Sequence, residues 1–178
     1  MASAATGPAM TLRIRDAQRA DADLLARWAI AMAQETEDKA LDPATVLAGV
    51  DAGIADPARA RYFVAMEQAL TAGRETLATP VGTLMLTREW SDWRNGDWWW
   101  IQSVYVPIEH RRRGVFAALY RHVEQLARAT DGVVGLRLYV ERGNAAARQT
   151  YLAMGMTDAG YAILERPVVP VPIGKETA

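Results

Sequence analysis

Cysteine is absent from this chain, so disulfides, thiol nucleophiles and thiolate metal sites are all excluded. Only two histidines are present, and His110 and His122 are too isolated to suggest a metal set, so no metal is expected. A net charge of -1 gives no overall basic field for nucleic acid and no acidic tail, and any anion site must be local. No apolar run approaches the roughly 20 residues of a membrane span. Residues 1–10 are small and Ala-rich but lack the basic and apolar regions of a signal peptide. A cytoplasmic protein without a membrane or nucleic-acid partner is expected.

What the chain does have is 178 residues, 51% of them hydrophobic, enough for one domain with a sizeable core and cramped for two. No internal repeat is visible. Residues 1–10 are expected to form a disordered leader, 11–166 the domain, and 167–178 a tail marked by Pro167, Pro170 and Pro172.

Periodicity gives the element order. Leu12 and Ile14 alternate with Arg13 and Arg15 in a strand at 11–15. Asp21 or Asp23 can cap a helix whose Leu24, Leu25, Trp28 and Met32 share a face, ending near Glu35, Glu37 and Asp38. Asp42-Pro43 starts a second helix carrying Val46, Leu47, Val50 and Ile54. A strand at 61–67, a loop at 68–80 and strands at 81–87 and 98–106 follow, the last two joined through the turn signal Asn95-Gly96. After a helix from about 115 to 127, residues 133–140 read as an apolar strand. Residues 144–154 read as a helix closed by Gly155, and 161–164 as a final strand.

The junction at 107–116 draws most attention. A strand ends at Pro107, Arg111, Arg112 and Arg113 precede Gly114, and then Phe116, Leu119, Val123 and Leu126 recur at helical spacing. The first turn of a helix has backbone N–H groups without carbonyl partners and partial positive charge, so it binds anions. Three guanidinium groups beside it suit a pyrophosphate. The same residues also fit a solvated surface turn. A Rossmann site is disfavoured, because the second and third spaced glycines are missing.

Arg111 to Phe116 resembles the acetyl-CoA pyrophosphate loop of the GNAT superfamily of N-acetyltransferases, which reads Arg or Gln, two free positions, Gly, one free position, then Gly or Ala. It matches at Arg111 and Gly114 and departs at Phe116, where the family has a small residue. A second segment, with Asn144, Ala147, Tyr151, Gly155 and Met156, is similar to another GNAT signature, with Met156 in place of a commoner Phe. The resemblance spans roughly residues 11–166. It implies an α/β fold with a mixed, mostly antiparallel sheet of six or seven strands and about four helices. That sheet is splayed between its fourth and fifth strands, here 98–106 and 133–140, to admit acetyl-CoA.

The resemblance also implies roles. Val104, Tyr105 and Val106 would pair with the pantetheine arm. Arg111, Arg112, Arg113, Gly114, Val115, Phe116 and Ala117 would hold the pyrophosphate, with Asn144 close to the cofactor. An amine of pKa ~10.4 must lose a proton before it attacks a thioester, and a thiol of pKa ~8.5 leaves with modest help from a tyrosine near ~10. Tyr151 matches the family's general acid. No carboxylate lies in 98–106, so Glu89, ahead of Asp92, is the candidate base, directly or through water. Glu35, Glu37, Trp90 and Trp93 are the acceptor candidates, suited to a cationic amine of a small molecule or peptide. The other reading is a non-catalytic acyl-CoA sensor on the same fold. A homodimer is possible, since family members are often dimers.

Overall fold

The computed structural model describes residues 10–71, 74–75 and 78–168. Its elements run β1 (Met10–Asp16), α1 (Ala22–Glu37), α2 (Pro43–Ala55), β2 (Arg61–Thr71), β3 (Arg74–Glu75), β4 (Thr79–Ser91), β5 (Gly96–Tyr105), α3 (Val115–Arg128), β6 (Val133–Leu138) and α4 (Ala145–Ala153). Short 3₁₀ turns at Arg19–Asp21 and Ile108–His110 precede α1 and the arginine loop. The expected leader up to residue 9 and the tail from residue 169 lie outside the described residues.

The sheet order is β1-β2-β4-β5-β6, with β3 pairing only with β2. All pairs are antiparallel except β5 with β6, which are parallel. The apolar alternation explains the two layers: odd residues of β2 (Phe63, Ala65) and Trp99 and Ile101 of β5 face one way, where α3 buries Val115, Leu119, Tyr120 and Val123 against them. Each such Val or Leu contributes about 1.5–3 kcal/mol relative to exposure. The opposite face receives α1 and α2, whose Leu25, Ala26 and Val50 pack on Val64.

One capping signal acts as expected, and Asn144 adds a second. Asp42 accepts a hydrogen bond from the Thr45 amide at 2.8 Å, with Pro43 in the first turn of α2. Asn144 accepts from the Ala147 amide at 3.0 Å and caps α4. A third differs. Asp21 occupies the N-cap position of α1 but makes no cap bond; its two oxygens instead take the Arg15 guanidinium at 2.7 and 2.8 Å. A paired guanidinium satisfies a nearly buried carboxylate better than one amide does.

The expected loop at 68–80 is mostly sheet: β2 continues to Thr71 and β4 begins at Thr79. Cross-strand pairing with β1 as far as Met10–Ala69 supplies the hydrogen bonds that the sequence pattern did not advertise. The expected strand at 161–164 does not form. Residues 157–167 lack regular structure, and Tyr161, Ile163 and Leu164 are exposed. Gly160 turns the chain at φ 74° and Pro167 follows, so only a few residues between them could join a ladder.

The parallel β5–β6 ladder runs from Asp97↔Val133 to Ile101↔Leu138 and stops. β5 continues to Tyr105, paired on its other side alone. The sheet therefore opens between β5 and β6. At the same level the β4–β5 register shifts, with Ser103 opposite Met85 and Ile101 opposite Leu86, so Gln102 is an extra residue on β5. Such a bulge bends the strand.

Candidate active site

The loop from β5 into α3 is where sequence and backbone geometry meet. Pro107 ends the ladder, the 3₁₀ turn Ile108–His110 reverses the chain, and Arg112 and Gly114 adopt left-handed conformations at φ 62° and 81°. A Cβ on Gly114 would meet no atom within 4 Å, so its glycine is required by backbone conformation and not by crowding. Gly114 is the N-cap of α3 and offers no side-chain cap. Its carbonyl accepts from the Ala118 amide at 3.0 Å. No described backbone carbonyl accepts from the amides of Val115, Phe116 or Ala117. Three N–H groups and the positive end of the helix thus point out together.

The three arginines divide their work. Arg111 is tied inward: its Nε donates to the Val106 carbonyl at 2.8 Å, and its guanidinium pairs with Glu35. Glu35 also accepts from the Tyr105 hydroxyl at 2.7 Å. The Arg111 bond, and then the Tyr105 bond, holds the Glu35 carboxyl below its ordinary range, while burial and then Glu35 push the Tyr105 hydroxyl up. Arg113 pairs with Glu67, whose side chain is only 10% exposed. Arg112 has no partner among the described residues and is exposed.

Beyond the loop, Phe116 packs against the α3-side core and meets Tyr151 of α4 edge to face, with ring centroids 5.5 Å apart. Burial, with a smaller contribution from Tyr120, pushes the Tyr151 hydroxyl above its ordinary value. A hydroxyl so shifted stays protonated and can donate.

On the other face of the sheet, Glu89 lies on β4 opposite Trp98, because β4 runs on to Ser91 past the expected strand end at residue 87. Its oxygens accept from Trp100 Nε1 at 2.5 Å and Arg137 Nη1 at 2.8 Å. It borders a cleft of about 1450 Å³ that Leu138, Tyr139 and Tyr151 also line.

The four acceptor candidates fall in two places, the acids in one and the tryptophans in the other. Glu35 is engaged as described, and Glu37 pairs with Lys39 at 2.6 Å. Trp90 pairs in register with Asp97 at the far end of β5, roughly 26 Å from Tyr105 at ~3.3 Å per residue. Trp93, at the hairpin tip, is 85% exposed, and both tryptophans line the cleft that Glu89 borders. Val104 pairs with Leu84 and Tyr105 with Thr83, leaving their other edge toward the opening. Asn144 serves as a helix cap.

Three residues escaped the sequence reading: Glu67, Arg137 and Tyr139. Arg137 had a signal, a lone charge in the apolar run 133–140. A charge kept inside such a strand calls for a partner, and Glu89 is that partner. Among the described residues no group of three His, Cys, Asp or Glu side chains could hold a metal ion. No described helix is long and apolar enough to cross a membrane.

Known proteins share this fold. A possible acetyltransferase from Clostridium difficile 630 is 37% identical, with a TM-score of 0.78 over 89% of this chain and 98% of its own. A ribosomal-protein-alanine N-acetyltransferase from Brucella melitensis biovar Abortus 2308 shares the fold at 17% identity, with a TM-score of 0.64 over 88% of this chain and 99% of its own. An aminoglycoside N-acetyltransferase in complex with CoA does so at 13% identity, with a TM-score of 0.69 over 90% and 97%. No curated protein matches the sequence significantly. The model of the acetyltransferase (GNAT) family matches residues 23–156, three quarters of the chain and all of the opening, the arginine loop and α4, and the chain belongs to that family.

Proposed function

We propose that the protein transfers an acetyl group from acetyl-CoA to a primary amine of a small molecule or peptide. The observation that carries this reading is the opening of the sheet after Ile101 and Leu138, beside a helix whose first amides meet no carbonyl among the described residues. The residues fit acetyl-CoA as a substrate. The amides of Val115, Phe116 and Ala117 receive the pyrophosphate with Arg112, which has no partner among the described residues, as a cation beside them, and the edge of Val104 and Tyr105 turned toward the opening receives the pantetheine amides. Arg111 and Arg113, held by Glu35 and Glu67, fix the loop instead of contacting the ligand, and Val106 contributes less because its carbonyl already accepts from Arg111.

The amine nitrogen attacks the acetyl carbon, the C–N bond forms, and the C–S bond breaks. Tyr151 gives its proton to the departing sulfur and recovers one from solvent. The proton lost by the amine passes to water in the cleft that Glu89 borders. With two donors already on its oxygens, Glu89 acts through that water.

The test is to mix the protein with acetyl-CoA and a panel of primary amines, following free thiol and the mass of the amine product. Thiol release that depends on the amine supports transfer. Acetyl-CoA binding without release for any amine removes it and favours the acyl-CoA sensor, a reading that the engagement of both Glu89 oxygens keeps open.

A further inference from the structure

The aromatic residues unused by this chemistry form a ladder on the sheet face turned away from α3. Trp99 and Ile101 point into the α3 core, so Trp98 and Trp100 point the other way, as do Arg137 and Tyr139 around the core-facing Leu136 and Leu138. Along this row cations and rings alternate. The Arg94 guanidinium lies 5.2 Å from the Trp98 ring, Arg137 lies 4.1 Å from Trp98 on one hand and 5.9 Å from Trp100 on the other, and Trp100 and Tyr139 stack at 4.3 Å and 30°.

The ladder is braced. Trp98 lies over Gly135, where a Cβ would come within 2.5 Å of the ring. Glu89 ties Trp100 to Arg137. Its last rung is open to the cleft: Tyr139 is 50% exposed and stands one residue beyond Leu138, the last β6 partner of β5. Trp100, Tyr139 and Tyr151 line one cleft.

We propose that Tyr139, stacked on Trp100, is an acceptor subsite for an aromatic ring, and that the amine acetylated here carries such a ring. The inference rests on the amine-acceptor reading above. Glu89 has its oxygens taken by Arg137 and Trp100, so the cleft side of the ladder offers an aromatic face in preference to an unpaired carboxylate. A ring added to a fixed stack gains dispersion and quadrupole contact that a saturated ring of the same size lacks. Tyr139 stands where β5 and β6 part, so a ring seated on it leaves its amine directed at the opening.

The experiment compares 2-phenylethylamine with 2-cyclohexylethylamine, which carry the same ammonium group and chain. A lower KM for 2-phenylethylamine by roughly threefold to tenfold is expected. Tyr139→Leu should erase that gap and Tyr139→Phe should keep it. Equal KM values in the unaltered protein, or a gap that survives Tyr139→Leu, overturn the subsite while leaving acetyl transfer standing. If neither amine turns over, calorimetric titration of both in the presence of CoA decides. Tighter binding of 2-phenylethylamine that Tyr139→Leu removes sustains the subsite without the transferase reading, and equal or absent binding overturns it.

Discussion

Phe116 presents its ring to Tyr151 edge to face at 5.5 Å, so the residue that departs from the family's loop pattern is the one that holds the candidate general acid. A small side chain there would leave the tyrosine ring without this contact. Tyr151→Phe keeps the ring contact and removes only the proton. It should lower kcat about 100-fold, the usual scale of acid catalysis, with the acetyl-CoA KM nearly unchanged. Phe116→Ala keeps the hydroxyl but frees the ring, and should lower kcat by a smaller factor, roughly threefold to tenfold. Steady-state kinetics check both, and Tyr151→Phe at full kcat would dismiss Tyr151 as the acid.

Gly114 tests the loop through its backbone. At φ 81° with open space around it, Gly114→Ala meets no clash but must hold a left-handed conformation, costing about 1–2 kcal/mol. The expected result is a Tm lower by roughly 2–8 °C and weaker acetyl-CoA binding as the amides turn away. Gly114→Asn, which tolerates that conformation, should recover most of both. Equal losses in the two variants would show that a side chain, and not the backbone angle, is what the site rejects.

Neighbouring arginines should fail in different ways. Arg112 has no partner among the described residues, so Arg112→Gln should raise the acetyl-CoA KM about tenfold, the worth of a charge-assisted hydrogen bond, at unchanged Tm. The effect should shrink with added salt. Arg113→Gln strands Glu67, a carboxylate with little exposure, and should appear first as a lower Tm. Thermal scans beside kinetics separate the two. A lower Tm in Arg112→Gln with no change in KM would reverse the assignment.

The tie from Glu89 to Arg137 shows why some of the site was legible and some was not. Gly114, Asn144 and Tyr151 sit in local patterns, because a left-handed turn, a helix cap and a helical face are fixed within a few residues. The opening of the sheet was legible by resemblance to a family whose sheet parts at that point. Glu89 with Arg137 is a contact between residues 48 apart in sequence, and Arg113 with Glu67 one between residues 46 apart. Only the strand order brings either pair together, so the acids Glu35 and Glu37, read with Trp90 and Trp93 as one acceptor side, parted from the tryptophans, which line the cleft. Residues 161–164 failed in the opposite sense. Their pattern suits a strand, but a strand also needs a ladder partner, and sequence pattern alone does not supply one.

Asp21 and Arg15 give a prediction about pH. The Arg15 bond, opposed by burial and helped by the Gln18 amide, holds the Asp21 carboxyl below its ordinary value. A carboxyl lowered in the folded state binds fewer protons there than in the unfolded chain near pH 4. Its contribution to stability is therefore complete above the unfolded pKa of ~3.9 and is lost as pH falls through the lower folded pKa. Asp21→Asn removes this titration and leaves Arg15 with a neutral partner. At pH 7 the variant should be less stable by about 2–3 kcal/mol, since the pair is largely shielded from water. Below pH 4 the difference should shrink, because the unfolded chain's carboxyl takes up its proton before the folded one does, and it should close as pH falls through the lowered folded pKa. Urea unfolding from pH 7 down to 3 measures this difference directly. A difference that stayed constant across that range would mean that Asp21 acts through shape and hydrogen bonding and not through its charge.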